Sequence, residues 1–216
     1  HIAPESVGNA RIIPMSNQAG QSNLRKRLQD AGIKVKKDDP ALGLILDQIK
    51  AREADGYTYD SAQASFELLA RRALGQMPEF FEVKRYRVSI ERRKNKYNQT
   101  VSLSEAVVVL KVDGEKRLSV SESMDETGSD RGPVNALAKA LAKDLGRYGE
   151  VIADMRLVDF KVRITQGGTE AVTRVIIDSE DAEGRRWSTV GVSANIVDAS
   201  FDALLDAINW KLLQST

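Results

Sequence analysis

The sequence predicts an α+β fold: a helical linker over residues 1–78, then two repeated strand-strand-strand-helix units over 79–148 and 149–216. Three observations carry this reading. The hydrophobic period changes from 3.6 residues to 2 after Pro78. Asp113-Gly114, a hairpin turn signal, separates two alternating apolar runs. The order of three strands and a helix then occurs a second time.

In the linker, Ser22 is a candidate cap for a helix over 23–31, which Gly32 ends. Asp38 or Asp39 before Pro40 suits a first helical turn, and Leu42, Ile45, Leu46 and Ile49 then share one face. Asp60 or Ser61 opens a third helix, with Ala62, Phe66, Leu69 and Ala73 spaced for burial and Gly75 and Pro78 beyond. Three short helices joined at glycines do not readily close a core, so this segment is expected to pack on something else.

In the first unit, Phe81, Val83, Tyr86, Val88 and Ile90 mark a strand, and 106–112 and 117–123 flank the Asp113-Gly114 turn. Gly132-Pro133 opens a helix with Leu137, Leu141 and Leu145 on one stripe. In the second unit the strands fall at 156–165, 172–178 and 186–192, before a helix from Ile196. Phe201, Leu204, Leu205, Ile208 and Leu212 are its apolar positions. The segments starting at Asn135 and Asp198 align at an offset of 63 residues. One helix covers one sheet face per unit, so two units per chain and a second chain are expected to bury the remainder.

Composition excludes several functions. The one histidine is His1 and there is no cysteine, so this chain builds no interior His/Cys zinc site, Ser-His-Asp triad or thiol nucleophile. A net charge of +1 with interspersed signs gives no bulk field for nucleic acid or an anionic membrane. No apolar run reaches the length of about 20 residues that spans a bilayer, and a reducing cytoplasm is expected. Arg92, Arg93, Lys94 and Lys96, near Tyr86 and Tyr97, could meet phosphates and stack bases, but the neutral chain favours a solvated hairpin end. Gly167-Gly168 lacks the Lys-Ser/Thr of a P-loop and reads as a hairpin loop.

Several motifs share an order with a known family. They are His1-Ile-Ala-Pro-Glu-Ser-Val-Gly-Asn, residues 16–23 (SNQAGQSN), residues 64–69 (ASFELL) and residues 132–137 (GPVNAL). Residues 156–163 (RLVDFKVR), 187–193 (WSTVGVS) and 195–200 (NIVDAS) complete the set. Together they resemble the linker subdomains and C-terminal regulatory domain of the citramalate synthase and 2-isopropylmalate synthase family. The resemblance implies an acyltransferase that condenses acetyl-CoA with a 2-oxo acid, pyruvate in the citramalate case. Its chemistry resides in a metal-dependent barrel upstream of the residues matched here. A divalent metal and acetyl-CoA are therefore expected in that barrel, and no cofactor or metal in this chain. The implied partners are a second copy, the barrel, and isoleucine or leucine as a feedback effector. A 2-isopropylmalate synthase domain and a stand-alone amino-acid sensor are the alternatives; some 300 further residues upstream would separate the latter from the synthase reading.

An amino-acid effector needs an apolar pocket and partners for both charged ends. Leu157, Phe160 and Ile164, with Val172, are the apolar candidates. On a regular strand 160 and 164 share a face and 157 points away, so a bend must reconcile them. Asp159 is the candidate for the ammonium. Asp130, Arg131, Gly132 and Pro133, entering a helix, are candidates for the carboxylate, and Asn195 offers an equivalent polar end. Relatives carry a Gly-polar-Gly-Pro turn where this chain has Asp130-Arg131-Gly132-Pro133, and Tyr where it has Phe160. Effector preference is expected to differ accordingly. In the linker, Ser16, Tyr57 and Tyr59 are the polar candidates for assisting a partner's barrel.

Overall fold

The computed structural model describes residues 20–36, 39–125, 132–166 and 171–216. Ser16, Asp130, Arg131 and the Gly167-Gly168 loop lie outside the described residues. Helices α1 (Gln21–Asp30), α2 (Ala41–Ala54) and α3 (Gln63–Ala73) form the linker. Gly32, with φ 73°, and Gly75, with φ 65°, end α1 and α3 in the left-handed conformation that glycine tolerates. Ser22 does not cap α1. The cap position is Gly20, and Ser22 lies inside the first turn. Pro40 precedes α2, and the Asp39 carboxylate accepts a hydrogen bond from Ala41 N at 3.0 Å. Leu24, Leu28, Leu42, Ile45, Ile49, Tyr59 and Phe66 make the linker's buried cluster, and Val190 from the second sheet completes it. The linker thus packs on the second unit, with α3 against the last strand and helix.

The first unit holds β1 (Glu82–Lys94), β2 (Thr100–Val112), β3 (Glu115–Asp125) and α4 (Pro133–Lys143). A 3₁₀ turn at Gly146–Tyr148 and short α5 (Gly149–Ile152), neither anticipated from the sequence, lead to the second unit. That unit holds β4 (Arg156–Gln166), β5 (Val172–Glu180), β6 (Arg186–Ser193) and α6 (Ile196–Leu213). Each sheet is antiparallel and sequential, β1-β2-β3 and β4-β5-β6. Asp113 (φ 51°) and Gly114 (φ 85°) both take positive φ, the geometry of a two-residue type I′ hairpin. In β1 the register shifts between Val83 and Arg85, which turns odd-numbered Val83 and even-numbered Tyr86 to the same face.

The two helices lie between the two sheets. On β2 the even positions Ala106, Val108, Leu110 and Val112 are buried under Ala136, Leu137, Ala140 and Leu141 of α4. On the second sheet Val175 and Ile177 pack beneath Ala199, Ala203 and Leu204 of α6. Close helix–sheet approach is set at Gly191, where a Cβ would stand 1.9 Å from the Ala199 carbonyl oxygen. Thr189 Oγ1 donates to Ala203 O at 2.8 Å and Trp187 Nε1 to Ala207 O at 3.2 Å, so three successive turns of α6 are pinned to β6. Beneath α6, Lys211 Nζ meets Asp181 at 2.9 Å and Asp154 at 3.2 Å, with Lys211 and Asp181 almost wholly buried.

The outward sheet faces differ. Linker residues cover Val190, Ile176 and Val192 of the second sheet. The first sheet's outward side leaves Leu118, Val120 and Met124 exposed.

Candidate functional site

The apolar candidates sit on β4, and a bulge decides their arrangement. The register runs Leu157 opposite Ser179, then Asp159 opposite Asp178 and Phe160 opposite Ile177. One extra residue, Val158, therefore separates Leu157 from Asp159 in the ladder. Without it, Leu157 and Phe160 would point to opposite faces. With it, Leu157, Phe160, Val162 and Ile164 lie opposite Ser179, Ile177, Val175 and Thr173, all on the inward face. The bend that the spacing requires is this bulge.

The inward strip is open. Helix α6 packs on β5 and β6, so Phe160 is half-buried while Leu157 is 43%, Val162 41% and Ile164 71% exposed. The corresponding strand of the first unit, β1, ends in the same way, with Ile90 59% exposed beyond Tyr86 and Val88.

The polar candidates separate into two groups. Asp159 faces outward, opposite Asp178, away from the Leu157–Ile164 strip. Lys161 Nζ bridges it at 2.9 Å and Asp178 at 2.8 Å, and this contact holds the Asp159 carboxyl below its ordinary range. Asn195 lies at the inward end of the sheet. Ser193, two residues before it, pairs with Thr173, which in turn pairs with Ile164. Its side-chain oxygen accepts from Val197 N at 2.9 Å and caps α6. Val172 is half-buried at this same end. Gly132 and Pro133 open α4 as cap and first residue, with φ −88° at Gly132.

Tyr57 and Tyr59 stack with centroids 6.2 Å apart between the linker and β6. The Arg52 guanidinium lies 5.0 Å over the Tyr57 ring. Burial raises both phenols above the usual range. A cleft of about 450 Å³ opens beside them, lined by Arg52, Tyr57, Ser65, Arg72, Val190 and Asp206. The sequence reading did not single out Arg52, Arg72 or the α6 aspartates. The signal was present: Asp198, Asp202 and Asp206 recur every four residues on an otherwise apolar helix, a repulsive spacing that calls for partners.

Among the described residues no group of three or more His, Cys, Asp or Glu is placed to hold a metal ion. No described helix is long and apolar enough to cross a membrane.

Two repeat units of three strands and a helix, joined to a helical linker, make up the described fold, and comparison with known proteins gives the family. The chain belongs to the LeuA allosteric (dimerisation) domain family, whose model matches residues 60–212. It is 41% identical to an (R)-citramalate synthase of Aquifex aeolicus over 99% of its length and 39% of that protein's. It is 42% identical to an (R)-citramalate synthase of Geobacter sulfurreducens, again over 39% of the longer protein. A probable 2-isopropylmalate synthase of Methanopyrus kandleri is 27% identical over 96% of the chain and 38% of its own length. The chain thus spans about two fifths of the relatives it matches.

Proposed function

We propose that this chain is the regulatory and dimerisation part of an (R)-citramalate synthase-type acyltransferase, and that it binds a branched-chain amino acid for feedback inhibition. The observation that carries the effector reading is the Val158 bulge, which gathers Leu157, Phe160 and Ile164 on one open apolar strip. An open strip gives a ligand little enclosure. A second copy laid on the bare inward ends of β1 and β4 encloses it, so dimerisation and effector binding belong to one surface. Burying a branched aliphatic side chain there contributes about 1.5–3 kcal/mol, provided its charged ends find partners. The starts of α4, at Gly132, and of α6, at Asn195, are the helix termini this reading assigns to those charged ends.

Asp159 faces the other side of the sheet and is engaged by Lys161, so the ammonium partner in this reading comes from the second copy. Condensation of acetyl-CoA with pyruvate belongs to a catalytic barrel, where a divalent metal would polarise the reacting carbonyl.

Calorimetric titration of the chain with isoleucine, leucine and valine separately tests the proposal, with light scattering on the same samples. A dimer that binds one of the three, and loses binding in Ile164→Asp, is the expected result. Equal heats for wild type and Ile164→Asp would remove the effector site from β4.

A further inference from the structure

The outward face of the second sheet pairs its charges along the strands, except at one row. Glu180 of β5 meets Arg156 of β4 at 3.3 Å and Arg186 of β6 at 3.0 Å. Asp178, next on the same face, meets Lys161 at 2.8 Å and accepts from Ser188 Oγ at 2.6 Å, while Lys161 also holds Asp159. Further along, Arg163 stands directly opposite Arg174. Such opposed residues have Cβ atoms about 4.5–5.5 Å apart, a separation at which like charges destabilise the ladder. The third member of the row, Val192 of β6, brings no charge. Neither arginine makes an ion pair with a carboxylate among the described residues.

The linker fixes one of these two cations. Arg174 Nε donates to the Gly56 carbonyl just past α2, and its two terminal nitrogens have no partner among the described residues. Gly56 takes φ 106°, and a Cβ there would stand 2.9 Å from Thr165 Oγ1 and 3.6 Å from Val192 Cγ1, so the linker lies tight against this row. Arg174 is half-buried and Arg163 exposed. Burial, and then the like charge of Arg163, lower the Arg174 guanidinium from its ordinary value.

We infer that Arg163 and Arg174 form a binding site for a small dianion of the phosphate class, held between their two guanidinium groups. Each guanidinium offers paired N–H donors that match a phosphate's oxygens, and two such cations match two negative charges. The ligand supplies the charge that the neighbouring rows draw from Glu180 and Asp178. A single carboxylate would neutralise only one of the pair. The anion joins β4 to the residue by which β5 is clipped to Gly56, so its binding steadies the linker on the sheet. The Leu157–Ile164 strip lies on the opposite face and takes no part.

The test uses the 216-residue chain at about pH 8, where phosphate carries close to two charges. Inorganic phosphate is the probe, AMP presents the same group on a larger molecule, and acetate at equal ionic strength is the singly charged control. The side-chain Nε–H signals of Arg163 and Arg174 report the site. Phosphate is expected to shift both saturably and to raise the thermal midpoint, and acetate should bind at least about tenfold more weakly. Either order of phosphate and AMP supports the site, and the tighter of the two tells whether the free ion or a phosphate on a larger molecule is the better ligand. Arg163→Gln, at an exposed position, should weaken phosphate binding at least about tenfold, with Arg163→Lys restoring part of it. Arg163→Glu supplies the missing anion from within the row, so its thermal midpoint should equal or exceed that of wild type and no longer respond to phosphate. The inference is overturned if phosphate leaves both Nε–H signals unmoved, if acetate binds as well as phosphate, or if Arg163→Gln or Arg163→Glu responds to phosphate as wild type does.

Discussion

Tyr86 of β1 lies on Phe201 of α6 with ring centroids 3.9 Å apart, and its hydroxyl donates to Asp198 one turn earlier on the same helix. The first unit therefore grips the helix of the second through one aromatic face and one hydrogen bond. Phe201→Ala removes a buried ring and should cost about 3–5 kcal/mol. Tyr86→Phe keeps the stack and strands Asp198, and should cost about 0.5–1.5 kcal/mol. Urea unfolding of the two variants checks the order.

Gly191→Ala should be among the most damaging single-methyl additions. The new Cβ meets backbone, the Ala199 carbonyl, which has no rotamer to escape into. A loss of about 3 kcal/mol or more is expected, because α6 must lift off β6. Gly43→Ala, in the open on α2, is the control and should be neutral or slightly stabilising. Thermal midpoints of both variants decide the matter.

Acid should unfold the chain through the Lys211–Asp181 pair. The Lys211 hydrogen bond, followed by contacts from Arg185, holds the Asp181 carboxyl well below its ordinary range. A carboxyl depressed in the folded state contributes stability above its unfolded value of about 3.9, and that contribution is lost as pH falls below it. The thermal midpoint should therefore drop steeply below about pH 4 in wild type. Asp181→Asn should start lower at pH 7 and show a shallower fall.

Charging the bare inward strip should separate copies. Val162→Glu combined with Ile164→Asp places two carboxylates where a second copy would bury apolar surface. Light scattering at micromolar protein should then give a monomer with an unchanged circular dichroism spectrum, against a dimer for wild type. A wild-type monomer would remove dimerisation from this surface.

Supplied with acetyl-CoA, pyruvate and a divalent metal, the purified chain should give no condensation above background. Free-thiol release is the measurement, and turnover would relocate the chemistry into these residues.

The fold was legible in the sequence wherever periodicity and turn chemistry agreed. Asp113-Gly114 fixed a hairpin, and the apolar stripe from Phe201 to Leu212 fixed α6. Local rules failed at Ser22, because a good capping residue one or two positions inside the true start is indistinguishable from the cap itself. The β4 strip was half-legible. Its residues were evident, and the need for a bend followed from their spacing, but its outward partner Asp159 could be placed only once the bulge was located at Val158. The linker cleft was not legible, because Arg52, Arg72, Asp202 and Asp206 are brought together by packing across more than a hundred residues of chain.

The unequal outward faces of the two sheets give the duplicated module a polarity. One face is occupied by the chain's own linker through Val190, Ile176 and Val192, and the other carries bare Leu118, Val120 and Met124. The linker helices pack on β6 and α6, and α6 in turn meets the first unit at the Tyr86–Phe201 contact and along its seam with α4. The two halves, built alike, thus stand unequally towards the linker, and α6 is the helix that touches the linker and the first unit alike.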